Sequence, residues 1–242
     1  IFKGADCNVI LKYVASTLLF LFFNQNSTLR QMEANALGLL KPIFFSFRYH
    51  ISRNPNRFAN LVMPSSIQLL PKLVHGLLKS TAFIPGISFD ERASQMTRLC
   101  MMSPEEIYNV GLPNMFELSN YLNNIHVTNL ELTKLKLSEG EMKDNRFLLL
   151  YDGFNTFLWI GEKLNSDLCK KVFGLPSAYS LNSINLIDTD ESRALFSFFK
   201  GNIRFFYGSR AGYNLFTDRL IDDTYSIWLE KIHKVSLPKE GQ

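Results

Sequence analysis

Three cysteines and four histidines are the side chains with the widest chemical range, and their spacing decides what they can do. Cys7, Cys100 and Cys169 lie far apart, are odd in number and sit within apolar patterns. That arrangement fits buried reduced thiols rather than a disulfide or a metal site. His50, His75, His126 and His233 are equally scattered, and none stands at ligand spacing from a cysteine or a carboxylate. Two acidic clusters, Asp188/Asp190/Glu191 and Asp218/Asp222/Asp223, offer the oxygens that Ca²⁺ takes. That ion wants about six to eight of them, and both clusters fall where helix N-termini favour carboxylates anyway. Arg204, Arg210 and Arg219 could grip a phosphate, but no G-x-G-x-x-G or Walker pattern accompanies them, and Gly153 and Gly161 merely flank an aromatic strand. No nucleophile, base and orienting group assemble from spacing. The sequence therefore assigns no catalytic, cofactor-binding or metal residue. Trp159, in an alternating strand, and Trp228, on an amphipathic stripe, read as core side chains. The turn Arg53–Arg57 is a solvated loop with a possible touch on a membrane surface.

The elements behind these side chains fall into two kinds. Residues 1–125 read as helices. The first spans about Cys7–Phe23; its run Val9–Phe23, about 15 residues interrupted by Lys12, reads as a core helix, short of the ~20 a bilayer requires. No small-residue cleavage site follows it. A second helix begins near Thr28, Pro42 should kink or end it, and a third piece runs on to about Ser52. In Leu61–Phe83, Pro71 suits a first helical turn, and Leu73, Val74, Leu77 and Leu78 form one buried face. Ser88 with Glu91, and Ser103 with Glu106 behind Pro104, are capping boxes that open two more helices.

From about Asn129 the period changes. Arg146–Tyr151 and Phe154–Gly161 are β-rich runs joined by Asp152-Gly153, a two-residue hairpin signal. A helix over Ser166–Phe173 ends at Gly174, and a third strand is expected near Ile184–Ile187. Asp188–Glu191 then caps a helix whose Ala194, Leu195, Phe198 and Phe199 face inward. Ile203–Tyr207 returns to strand, and a last helix over about Asp223–Lys234 aligns Tyr225, Trp228, Leu229 and Ile232. Strands interleaved with helices describe a small α/β domain with a mixed sheet.

At 242 residues with 46% apolar content the chain has enough material for well-packed cores. Its net charge of +4 sits in the first half, where residues 1–125 hold 11 Lys+Arg against 7 Asp+Glu. That favours acidic surfaces, such as anionic headgroups or a partner's carboxylates, and is too small for a nucleic-acid binder. A start at Ile1 rather than Met leads us to expect a piece of something longer.

The order of features resembles the C-terminal part of the cargo-adaptor subunit of the COPII inner coat, the Sec-twenty-four family. The leucine-proline segment of that family is matched by Met63-Pro-Ser-Ser-Ile-Gln-Leu-Leu-Pro71 and Leu77-Leu-Lys-Ser80, and its acidic-arginine-alanine run by Asp90-Glu-Arg-Ala93. The opening strand-turn-strand of its gelsolin-like domain is matched by Phe147 to Gly161. The family's ending is matched by Phe216, Leu220-Ile-Asp-Asp223, Thr224-Tyr225 and His233-Lys234. Residues 1–52 match only as helices.

The resemblance implies an α+β chain: an all-helical domain at 1–125 and a gelsolin-like domain with a mixed central sheet at 126–242. It implies a non-enzymatic adaptor part of the coat that supports cargo selection between the endoplasmic reticulum and the Golgi. The implied partners are the GTPase-activating sister subunit, through it the coat GTPase, and cargo proteins held mostly by domains outside this chain. Nucleic acid is not among them, and the membrane surface is met only peripherally, on the cytosolic face of the endoplasmic reticulum. No cofactor is implied here, since the family's zinc finger would lie upstream of Ile1, and no cargo-binding residue is carried over. The sister subunit itself, or a calcium- or actin-binding gelsolin relative, are the alternatives.

Overall fold

Asp6 starts the first helix by accepting the Asn8 and Val9 amides at 2.8 and 3.3 Å, and α1 follows over Cys7–Asn24. The computed structural model describes residues 2–25, 27–51, 62–127, 131–178, 186–208 and 213–235. By length and composition α1, with mean hydropathy 1.5, could cross a membrane. Its Leu11, Val14, Ala15, Leu18 and Leu19 are buried against other helices, while Val9, Tyr13, Phe20 and Phe23 are exposed. Lys12 reaches across to the Leu99 and Cys100 carbonyls at 2.7 and 2.9 Å. There its cation meets the negative end of the helix that carries them, α4 (Phe89–Met101).

A capping box between Thr28 and Gln31 opens a 3-10 turn that runs into α2, Met32–Ile51. Pro42 neither ends nor divides this helix, contrary to expectation. Met32, Ala36, Leu40, Phe44 and Arg48 repeat at i, i+4 and are all buried, so the packed stripe carries the helix across the proline. Pro42 and Gly38, whose carbonyl loses its amide partner, both face solvent, where water can replace the bond. Next come α3 (Leu70–Leu78), with Pro71 in its first turn as expected, then α4 and α5 (Pro104–Gly111). Ser88 accepts the Glu91 amide, and the Ser103–Glu106 box is reciprocal, at 3.2 and 2.8 Å.

The sheet begins earlier than the sequence suggested. β1 (Asn114–Glu117) is only four residues long and too short to show a period. After the short α6 (Ser119–Asn123) come β2 (Thr133–Leu135), β3 (Phe147–Tyr151) and β4 (Asn155–Ile160). With β5 (Asn202–Tyr207) they form one sheet in the order β2-β1-β3-β4-β5, antiparallel except where β4 and β5 run parallel. Phe147, Leu149, Leu158, Ile160 and Tyr207 cover one face. α7 (Ser166–Phe173) and α8 (Asp190–Phe196) supply Leu168, Val172 and Leu195 to the same core. α8 is capped by Thr189, whose hydroxyl accepts the Ser192 amide, and not by Asp188, which pairs with Arg193. On the other face Phe216, from α9 (Tyr213–Thr217), packs edge-on to Phe206. Most of the strand expected near Ile184 lies outside the described residues; Leu186 and Ile187 at its end are not in a strand.

The compact units divide the chain differently from the expected 1–125 and 126–242. The chain divides into a helical unit, residues 1–112 with 221–242, and a sheet unit, residues 113–220. The last helix, α10 (Asp222–Val235), packs on α2 and α3. Trp228 and Ile232 are buried there, and each such side chain contributes about 2 kcal/mol. An amphipathic stripe announces that a helix is buried; it does not say against what.

Candidate functional site

The residues with the widest chemical range stay dispersed. Cys7 is half-buried, its thiol pushed up to about 11 by burial and by the neighbouring Asp6 carboxylate. Cys100 is exposed and Cys169 buried in the sheet core, where desolvation also raises its pKa. Among the described residues no three His, Cys, Asp or Glu side chains are grouped so as to hold a metal ion. Asp188 and Asp190 are paired with Arg193, Glu191 with Lys171, and Asp222 with Lys72. His50 and His126 are exposed. Trp159 is buried and donates to the Gly208 carbonyl at 3.1 Å, as a core tryptophan should. The Arg53–Arg57 turn and Arg210 lie outside the described residues. Arg219 is fully buried against Asp152, so it is a structural charge.

What the fold does assemble is a groove in the helical unit, formed where α10 lies on α3 and the start of α2. It has a volume of about 400 Å³. His75, on α3, lies 2.8 Å from the Thr224 hydroxyl and stacks on Trp228 with ring centres 5.5 Å apart. Trp228 is itself pinned by an indole N–H donated to the Pro71 carbonyl at 2.7 Å. Leu78, Phe83 and Ile227 extend this floor, and Arg30, Lys79, Lys231 and Glu33 stand around it. Lys231 pairs with Glu33. No sequence pattern marked the groove, because its facing side chains lie as far as 198 positions apart. The one available signal was Trp228 on an otherwise ordinary stripe.

Burial, Lys79 and Lys231 hold His75 down to about 4, so it is neutral at pH 7. His233, beside the buried Arg48 guanidinium at 3.3 Å, is lowered as well, by burial and then by that charge. A histidine with a depressed folded pKa leaves the unfolded chain binding more protons below its ordinary value of 6.5. The stability it supports is complete above that value and falls away towards pH 4. Urea unfolding at pH 7 and pH 5 should therefore show the helical unit losing about 1 to 2 kcal/mol through His75 alone. His75→Phe, which keeps the stacking surface, should remove that part of the slope. An unchanged slope would refute a buried neutral His75.

Residues 6–109 match the family model described as the Sec23/Sec24 helical domain. The chain is 27% identical to human protein transport protein Sec24D over 136 residues, 54% of this chain and 12% of that protein. It is 28% identical to Arabidopsis thaliana SEC24 A over 134 residues, 52% of this chain and 13% of that one. With human Sec24C the match is weaker, at 22%, but longer, covering 76% of this chain and 16% of the relative. The crystal structure of human COPII-coat protein Sec24c superposes with a TM-score of 0.80 at 17% identity, over 98% of this chain and 32% of that one. Residues 6–109 thus match a Sec23/Sec24 helical domain, and the chain shares the fold of the solved Sec24c structure, all-helical and then a five-strand mixed sheet. It spans about an eighth to a sixth of the length of the curated relatives, named as transport proteins, and 32% of the solved chain, named as a coat protein.

Proposed function

We propose that this chain is a non-enzymatic scaffold within a COPII cargo-adaptor subunit, supporting cargo selection in transport from the endoplasmic reticulum to the Golgi. The observation that carries this reading is the continuity of two matches. A Sec23/Sec24 helical domain over residues 6–109 runs on into a Sec24c-like fold over 98% of the chain. The quoted relatives are Sec24 proteins, which favours the adaptor over its GTPase-activating sister. A calcium-dependent gelsolin relative is disfavoured by the pairing of Asp188, Asp190, Glu191 and Asp222 among its candidate ligands with Arg193, Lys171 and Lys72. The partners in this reading are the sister subunit, the coat GTPase reached through it, and cargo. The location is the cytosolic face of the endoplasmic reticulum, and the chain itself carries no cofactor.

Three measurements on the purified chain test the reading. It should hydrolyse no GTP by itself, should not accelerate hydrolysis by the coat GTPase, and should show no large thermal shift with Ca²⁺. Intrinsic turnover would refute the scaffold role. Acceleration would move the chain to the sister subunit, and a large calcium shift to the gelsolin alternative.

A further inference from the structure

The groove on the helical unit is not accounted for by a scaffold role. Its floor is apolar and held rigid: Trp228 is fixed by the Pro71 carbonyl, and His75 by Thr224 and by stacking. At about 400 Å³ it falls within the size range of ligand pockets. One wall is open to solvent, with the Ile227 side chain 56% exposed on α10. Among the described residues the charged lining is one-sided, with Arg30, Lys231 and Lys79, which also donates to the Thr224 hydroxyl at 3.4 Å, against the carboxylate of Glu33, itself paired with Lys231. Neutral His75 adds no charge, so the floor stays apolar while the rim is basic.

We propose that this groove docks a short acidic peptide segment of a partner protein. An aliphatic or aromatic side chain of the peptide sits on Trp228, Leu78 and Ile227, and a flanking carboxylate meets Arg30 and Lys79. The apolar floor supplies affinity, and the rim selects the sign of the flanking charge. A bare phosphate or lipid headgroup would leave the floor unused, and an uncharged apolar peptide would leave the rim unmatched. The inference does not depend on the coat reading, because it concerns direct binding to the isolated chain.

Trp228 is one of two tryptophans in the chain, and the other, Trp159, is buried in the sheet unit. A fluorescein-labelled hexapeptide of alternating glutamate and leucine is the probe. Lysine-leucine and glutamate-serine hexapeptides are the controls, and phosphatidylserine vesicles form a separate arm. The expected result is saturable binding of the glutamate-leucine peptide with a change in Trp228 emission, and at least tenfold weaker binding of both controls. Arg30→Glu, at an exposed position, should weaken binding about tenfold and partly restore the lysine-leucine peptide. Ile227→Ser, also exposed, should weaken the glutamate-leucine peptide without changing the sign preference. Far-UV circular dichroism checks that each variant is folded. Equal binding of the charge-inverted peptide, or affinity unchanged in both variants, would overturn the proposal. So would vesicle binding lost in Arg30→Glu with no peptide bound, which would make the basic rim a membrane contact.

Discussion

Gly76→Ala is expected to destabilise the helical unit by roughly 3 kcal/mol or more, although alanine is the better helix former. Gly76 on α3 faces Gly111 at the end of α5, and the two backbones meet with no side chain between them. A Cβ on Gly76 would fall 1.8 Å from the Gly111 carbonyl oxygen and 2.7 Å from its carbon. A Cβ on Gly111 would lie 2.7 Å from the Leu73 carbonyl oxygen. These are backbone atoms, so no rotamer change relieves the collision; the helices must separate, and the buried faces of Leu73, Leu77 and Ile107 separate with them. Gly38 on α2 is the control. It is exposed and a Cβ there meets nothing within 4 Å, so Gly38→Ala should stabilise by about 0.5 to 1 kcal/mol. Hydrogen exchange of the α3 and α5 amides reads the helical unit directly. If both variants shift protection in the same direction, the close approach of α3 and α5 is not what holds this unit.

The contrast marks where sequence reasoning runs out. Caps were legible because each is decided within four residues: Ser88 before α4, Ser103 with Glu106, and Gly174 after α7 all stand where the residue types place them. The α10 stripe was legible as a stripe. Its allegiance was not, because Trp228 finds the Pro71 carbonyl 157 positions away, a distance no local pattern spans. Pro42 misled for a related reason. The local cost of a proline is real, but the buried ladder from Met32 to Arg48 outweighs it once tertiary packing is counted. Gly76 carries no signal in isolation, since a mid-helix glycine reads as a weakness until the partner backbone is in place. The groove has the same character: its floor, His75 on Trp228, exists only after α10 has docked on α3.

Asp152 carries the second large effect, and it too was legible only in part. The Asp152-Gly153 pair signals a hairpin, and a hairpin forms, but one residue further on. The Asp152 amide donates to the Asn155 carbonyl at 3.3 Å, leaving Gly153, at φ 89°, and Phe154 at the tip. That shift turns Asp152 inward. It is fully buried, accepts the Phe154 and Asn155 amides at 3.0 and 2.8 Å, and lies 3.3 Å from the Nε of an equally buried Arg219.

Burial lowers the Arg219 pKa, while Asp152 and Asp218 push it back up; a guanidinium in any case does not shed its proton, so the charge must stay matched. Asp152→Ala should therefore cost the sheet unit about 3 to 5 kcal/mol, since it leaves a buried cation without Asp152 and two amides without an acceptor. Asp152→Asn should cost less, because its carbonyl oxygen can still accept those amides. Arg219→Met should cost less again, because the amides continue to satisfy the carboxylate it leaves behind. The double variant Asp152→Ala/Arg219→Met removes both charges and should recover stability relative to Asp152→Ala alone, giving a coupling energy of about 1 to 3 kcal/mol. Urea unfolding followed by hydrogen exchange of the β3 and β4 amides measures each corner of the cycle. Strict additivity would mean that the hairpin needs Asp152 only as an amide acceptor, and that the buried arginine is balanced by other groups around it.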